Sequence, residues 1–203
     1  MVAVPRVYLL SPARTGSVRA LQLLESDSPL GVALRSREGA PIGEVFAWLS
    51  SLYFRGKLAY ASRFGASELS APGALVITPG HGLCRPSTRV RAADLVAMGQ
   101  IEVDAENPTF VQPLLRDAGR LVKSAPGDAG FVLLGSIATP KYVEPLLSVL
   151  GERLLFPQEF VGRGDMSRGG LLLRAAREGN QLDYAPVQSA VRNGPRARRI
   201  ALM

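Results

Sequence analysis

The chain has 203 residues, 47% of them hydrophobic, with a net charge of +7 and a pI of about 10.2. That is enough apolar material for one full core, and it excludes a disordered chain. One cysteine excludes an internal disulfide, and one cysteine with one histidine argues against a structural zinc site, so a reducing cytosol fits and no metal or cofactor is expected.

In chain order, Arg6–Leu10 is a short apolar run that reads as a buried strand. A polar turn follows, Ser11-Pro12-Ala13-Arg14-Thr15, and Ser17 is placed to cap a short helix through Leu24. Gly31–Arg35 is a candidate second strand. Gly43–Phe64 predicts the longest helix, because Val45, Trp48, Leu49, Leu52 and Tyr53 recur at helical spacing; Gly65 sits where a left-handed C-terminal glycine belongs. Ala74–Thr78 carries no charge and predicts a central strand. A loop follows, Gly80-His81-Gly82-Leu83-Cys84-Arg85-Pro86. Asn107-Pro108 opens a helix to about Lys123, Phe131–Leu134 is a further buried strand, and Thr139-Pro140 opens a helix to Leu150. Arg153–Phe156 is a strand, and Asp165 is placed to cap a last helix to about Glu178. Strands alternating with helices predict a single α/β domain, with a mostly parallel sheet flanked by helices, over residues 1–186. Residues 187–203 change character: Arg192, Arg196, Arg198 and Arg199 surround Asn193-Gly194-Pro195, as in a basic C-terminal tail. Such a tail is either a solvated end or an arm that tracks a nucleic-acid backbone. No apolar run is long enough to span a membrane, and the N-terminus lacks the apolar stretch of a signal peptide, so a cytoplasmic protein without membrane partners is expected.

Arginine dominates the basic residues, the lysines being Lys57, Lys123 and Lys141. A GC-rich genome would produce this bias, and so would a phosphate-binding face, since guanidinium forks match phosphate oxygens. His81 and Cys84 lie three residues apart in one loop. A thiolate needs a neighbour that lowers its pKa, which His81 or Arg85 would supply; otherwise Cys84 is a small buried hydrophobe and His81 an ordinary loop residue. Arg163, Asp165, Ser167 and Arg168 stand among Gly162, Gly164 and Gly169, where backbone and a helix N-terminus can approach an anion. Asp165 would act there as a general base or read the edge of a base; the plainer alternative is a helix cap in solvent. Ser11, Arg14 and Thr15 suit phosphate or sugar contact, or form a plain strand-to-helix loop. On the long helix, Tyr53, Arg55, Lys57 and Tyr60 mix cationic and aromatic groups, and Lys57 suggests a chemical role; a partly exposed helix face is the alternative. Ser136, Lys141 and Tyr142 leave the same choice open.

Four of these segments occur together, in this order, in one known family: Ser11 to Thr15, Gly80 to Pro86, Gly135-Ser136 to Tyr142, and Arg163-Gly164-Asp165-Met166-Ser167-Arg168. Each follows a strand, where open α/β sheets place their ligands. Over about Val7 to Glu178 the chain resembles the YaaA family of bacterial proteins linked to peroxide stress and DNA protection. It departs from that pattern in its shorter length and in Arg14 for a lysine, His81 for a tyrosine and Cys84 for an aliphatic residue. These departures resemble the DpdC branch, found in bacterial 7-deazaguanine DNA-modification clusters. The resemblance implies an enzyme that hydrates the nitrile of 7-cyano-7-deazaguanine in DNA to the carboxamide. Its partners would be double-stranded DNA containing a modified guanine, and proteins of the same cluster. On that reading Cys84 attacks the nitrile carbon, or Asp165 activates water. A non-catalytic DNA-binding protective protein, and an enzyme acting on a free nucleobase or nucleotide, are the other readings.

Overall fold

The computed structural model describes residues 5–65 and 72–190. Along the chain its elements are β1 (Arg6–Leu10), α1 (Val18–Glu25), α2 (Pro29–Arg35), β2 (Ala40–Pro41), α3 (Ile42–Phe64), β3 (Ala74–Thr78), β4 (Gly82–Cys84) and β5 (Arg89–Val90). There follow α4 (Ala92–Gly99), α5 (Pro108–Ser124), β6 (Gly130–Leu134), α6 (Pro140–Leu150), β7 (Leu154–Pro157), α7 (Asp165–Glu178) and β8 (Tyr184–Pro186). They form one α/β domain. Its six-stranded sheet has the order β4-β3-β1-β6-β7-β8. The four inner strands are parallel, and both edge strands run antiparallel to their neighbours. β2 and β5 pair in a separate two-stranded ribbon.

Alternation along β1 divides the core. Tyr8 and Leu10 face one side with Val76, Val132 and Leu134, covered by α1, α3 and α7. Val7 and Leu9 face the other with Ile77, Phe131 and Leu133, covered by α5 and α6. Strands buried on both faces need apolar residues at every position, which is why β1, β3 and β6 read as continuous hydrophobic runs. At the β8 end, the Tyr184 hydroxyl shares hydrogen bonds with those of Tyr8 and Tyr60, and the Tyr60 oxygen accepts from the Leu182 N–H, so the segment after α7 is tied back onto β1 and α3.

The strand expected over Gly31–Arg35 is a helix. Ser28 accepts at 3.2 Å from the Gly31 N–H and Pro29 takes the first helical position, a cap-and-proline signature that outweighs the short apolar run. Gly65 has φ −67° and is not left-handed; it is needed for space, since a Cβ there would lie 2.5 Å from the Ala61 carbonyl oxygen. Asp165 is the first residue of α7, not its cap; Gly164 holds the cap position. The loop expected over Gly80–Pro86 includes β4, hairpinned onto β3. α3 breaks at Ser51, whose φ of 49° and ψ of −123° are non-helical. Val187 is fully buried and its N–H donates to the Leu154 carbonyl at 2.9 Å, so the ordered fold continues past 186. The arginines of the basic tail lie outside the described residues. Among the described residues, no helix is long and apolar enough to cross a membrane.

Candidate active site

The backbones of α3 and α7 come together at two glycines. A Cβ on Gly56 would lie 2.7 Å from the Gly169 carbonyl oxygen, and one on Gly169 would lie 2.8 Å from Cα of Tyr53. This approach brings the first turn of α7 beside the residues of α3 that point back toward the end of β1.

Lys57 is one of them. Its side chain is buried, at 1% exposure, and its Nζ donates to Ser11 Oγ at 2.7 Å and to the Ser11 carbonyl at 3.0 Å. The Tyr53 ring lies under it, with its centroid 4.0 Å from Nζ. Among the described residues no carboxylate pairs with it. Burial therefore pulls its pKa down to about 7, the nearby Asp165 charge opposes that pull, and the Arg168 cation adds to it.

Ser11 is held where β1 ends by its N–H bond to the Leu134 carbonyl, at 3.2 Å. Beyond it stands the Tyr142 hydroxyl, within hydrogen-bonding reach of the Ser11 side chain and the Ser136 backbone; burial raises the pKa of this phenol, and those two neighbours partly offset the rise. Gly135 makes room for the contact, since a Cβ there would lie 3.0 Å from Ser11 Oγ and 3.1 Å from Tyr142 Oη. Arg168 completes the group. Its Nε and Nη2 bind the Phe160 carbonyl at 3.2 and 3.1 Å, and its Nη1 lies 3.5 Å from Asp165. Tyr53 Oη is buried beside Arg168, with no partner at full hydrogen-bonding geometry among the described residues. Burial raises the pKa of this phenol too, and the Arg168 cation tempers the rise.

Tyr142 also belongs to the wall of a cavity of about 790 Å³. Arg14, Thr15 and Ser136 line it from two strand ends, and Glu102 and Asp104 line it from the loop after α4. Of the residues named from sequence, Ser11, Tyr53, Lys57, Tyr142, Asp165 and Arg168 thus form one interacting group, and Arg14, Thr15, Ser136 and Tyr142 share one cavity. Arg163 donates to Ser167 at 3.0 Å on the exposed first turn of α7.

His81, Cys84 and Arg85 belong to the β3–β4 hairpin at the sheet edge. The hairpin touches the cavity's margin at Gly80, where a Cβ would lie 2.6 Å from Cδ1 of the cavity-lining Ile101. His81 and Arg85 are exposed. The contact between His81 and Cys84 runs through the His81 carbonyl, 3.9 Å from Sγ. Burial pushes the Cys84 thiol pKa up; a hydrogen bond with Thr78 lowers it and the Asp117 charge raises it further. Among the described residues no three His, Cys, Asp or Glu side chains gather into a metal-binding group.

Sequence reasoning missed the acidic wall at Glu102 and Asp104. The available signal was a pair of carboxylates two residues apart in a segment with no periodic pattern, between Gln100 and Asn107. No protein-family model, no curated protein and no solved structure matches the chain.

Proposed function

We propose that this protein is a DNA-modification enzyme of the YaaA-like, DpdC type, which hydrates the nitrile of 7-cyano-7-deazaguanine in DNA to the carboxamide. On this reading the reaction runs from Lys57, Ser11 and Tyr142, not from Cys84. The observation that carries it is the Lys57 amine, buried, without an ion pair among the described residues and 2.7 Å from Ser11 Oγ, which is in reach of the cavity-lining Tyr142. Burying an unpaired ammonium is costly, and a lysine pulled toward neutral pH is a usable base.

A cavity of about 790 Å³ accommodates a nucleotide. Glu102 and Asp104 supply acceptors for the N–H edge of a guanine-like base, and Arg14 supplies donors for a phosphate. Water adds across the carbon–nitrogen triple bond. Its oxygen bonds to carbon, one π pair moves to nitrogen, and Tyr142 donates a proton to that nitrogen. The proton lost by water passes through Ser11 to the free amine of Lys57. Lys57 then returns it through Ser11 to the Tyr142 phenolate, and the imidic acid tautomerises to the amide. Atoms and charge balance without metal or organic cofactor.

The test is incubation of wild-type protein with duplex DNA carrying 7-cyano-7-deazaguanine, followed by nucleoside digestion and mass spectrometry. The carboxamide nucleoside is expected, with its oxygen taken from labelled water. The net charge of +7 also suits a non-catalytic DNA-binding protective protein. Salt-dependent binding to this DNA without conversion would favour that second reading.

A further inference from the structure

We propose that the groove between α3 and α7 seats the sugar-phosphate backbone of duplex DNA. This rests on the reading that the substrate base is carried in DNA. A second cavity of about 840 Å³ lies between these helices, away from the one that Tyr142 lines. Arg63 of α3 and Arg174 and Arg177 of α7 line it, over a floor that includes Ala59, Gly170 and Ala176. A Cβ on Gly170 would meet nothing within 4 Å, so the floor is open. All three arginines are exposed, and among the described residues none of them has an ion-pair partner.

The charge on this face is one-sided. The charged residues that line the groove are Arg63, Arg174 and Arg177, with no aspartate or glutamate among them; Arg55 is exposed about two turns earlier on α3, and Glu178, at the end of α7, is the nearest acid in sequence. Helix dipoles favour a cation in the last turn and account for Arg63 and Arg177, but not for Arg174. Guanidiniums without an ion-pair partner among the described residues, set along an open groove, match a rail of phosphates, which displaces counterions on binding. The groove is also correctly placed. Arg174 and Arg177 follow Arg168 by six and nine residues, roughly 9 and 14 Å along the helix axis at 1.5 Å per residue. A backbone seated there passes within a few helical turns of Lys57.

The experiment measures fluorescence anisotropy of a labelled, unmodified DNA duplex against salt for the full-length chain. It compares wild type, Arg63→Ala/Arg174→Ala/Arg177→Ala, and a control losing the same charge from α5 on the opposite sheet face, Arg116→Ala/Arg120→Ala/Lys123→Ala. Matching thermal melts establish that each variant is folded. The groove variant is expected to lower the magnitude of the log-affinity against log-salt slope by roughly 2.7, at about 0.9 per lost phosphate contact, and to lose at least about tenfold in affinity. The α5 variant keeps the wild-type slope to within about one unit. Equal losses in both variants, no loss in the groove variant, or a groove that prefers an acidic peptide or single-stranded RNA over duplex DNA would overturn the proposal. Conversion of the free 7-cyano-7-deazaguanine nucleoside separates this claim from the chemistry. Duplex binding through the groove with no conversion removes the chemistry and leaves the groove; nucleoside conversion with no duplex binding removes the groove and leaves the chemistry.

Discussion

Gly56 and Gly169 face each other across α3 and α7 with no space for a methyl group on either. The contact sets how far Lys57 and Tyr53 stand from Asp165 and Arg168. Gly56→Ala and Gly169→Ala are therefore expected to destabilise the fold by about 1–3 kcal/mol, as overpacked sites do. Gly170, next in the helix and over open space, is the contrast: Gly170→Ala is expected to stabilise by about 0.5–1 kcal/mol through helix propensity. Urea denaturation of the three variants checks the order.

Burial of Lys57 makes stability depend on pH. Its pKa is lowered from 10.5 to about 7 in the fold. Below about 7 the amine is charged in both states, and the cost of burying that charge is present in full. Between about 7 and 10.5 the unfolded chain binds the extra proton, so this group's contribution makes stability rise with pH. Lys57→Met removes that rise, which is of the order of several kcal/mol at full extent. Urea midpoints on either side of pH 7, for wild type and variant, read the difference; parallel pH profiles would refute the assignment.

The same titration governs turnover. Conversion of the nitrile is expected to increase with pH as Lys57 loses its proton, with an apparent pKa near 7. Lys57→Arg keeps a cation at all working pH values and is expected to cost at least about a hundredfold in rate. A pH–rate profile for wild type, with the arginine variant alongside, is the check.

Ser51 is the one non-glycine residue with positive φ among the described residues, and it sits at the break in α3 just before Leu52 and Tyr53. An L side chain is strained there. Ser51→Gly is expected to raise stability by about 1 kcal/mol, and Ser51→Val to lower it by at least as much. Thermal melting decides between this and a neutral position.

Much of the fold was legible because the four inner strands are buried on both faces. Runs such as Val7-Tyr8-Leu9-Leu10 and Phe131-Val132-Leu133-Leu134 state that directly, and Asn107-Pro108 marks the helix start where it occurs. Gly31–Arg35 misled because a short apolar run does not tell strand from helix, and Ser28-Pro29 carried the deciding signal. β4 was hidden because three edge residues paired on one side need little hydrophobic pattern. At the site, the ends of parallel strands pointed to Ser11, Ser136 and Tyr142. The scarcity of lysine pointed to Lys57, but not to its burial, which depends on α7 closing over α3 through Gly56 and Gly169. Those two glycines are 113 positions apart, and one-dimensional patterns do not report that distance.

The most direct measurement is the rate at which 7-cyano-7-deazaguanine DNA becomes the carboxamide with wild type, Ser11→Ala, Lys57→Met and Cys84→Ala under the same conditions, each variant shown folded by its melting curve. Loss of at least about a hundredfold in Ser11→Ala and Lys57→Met is expected, the scale of general acid–base catalysis, with Cys84→Ala close to wild type. An inactive Cys84→Ala enzyme beside an active Lys57→Met enzyme would place the chemistry on the thiol and contradict the role given to the buried lysine.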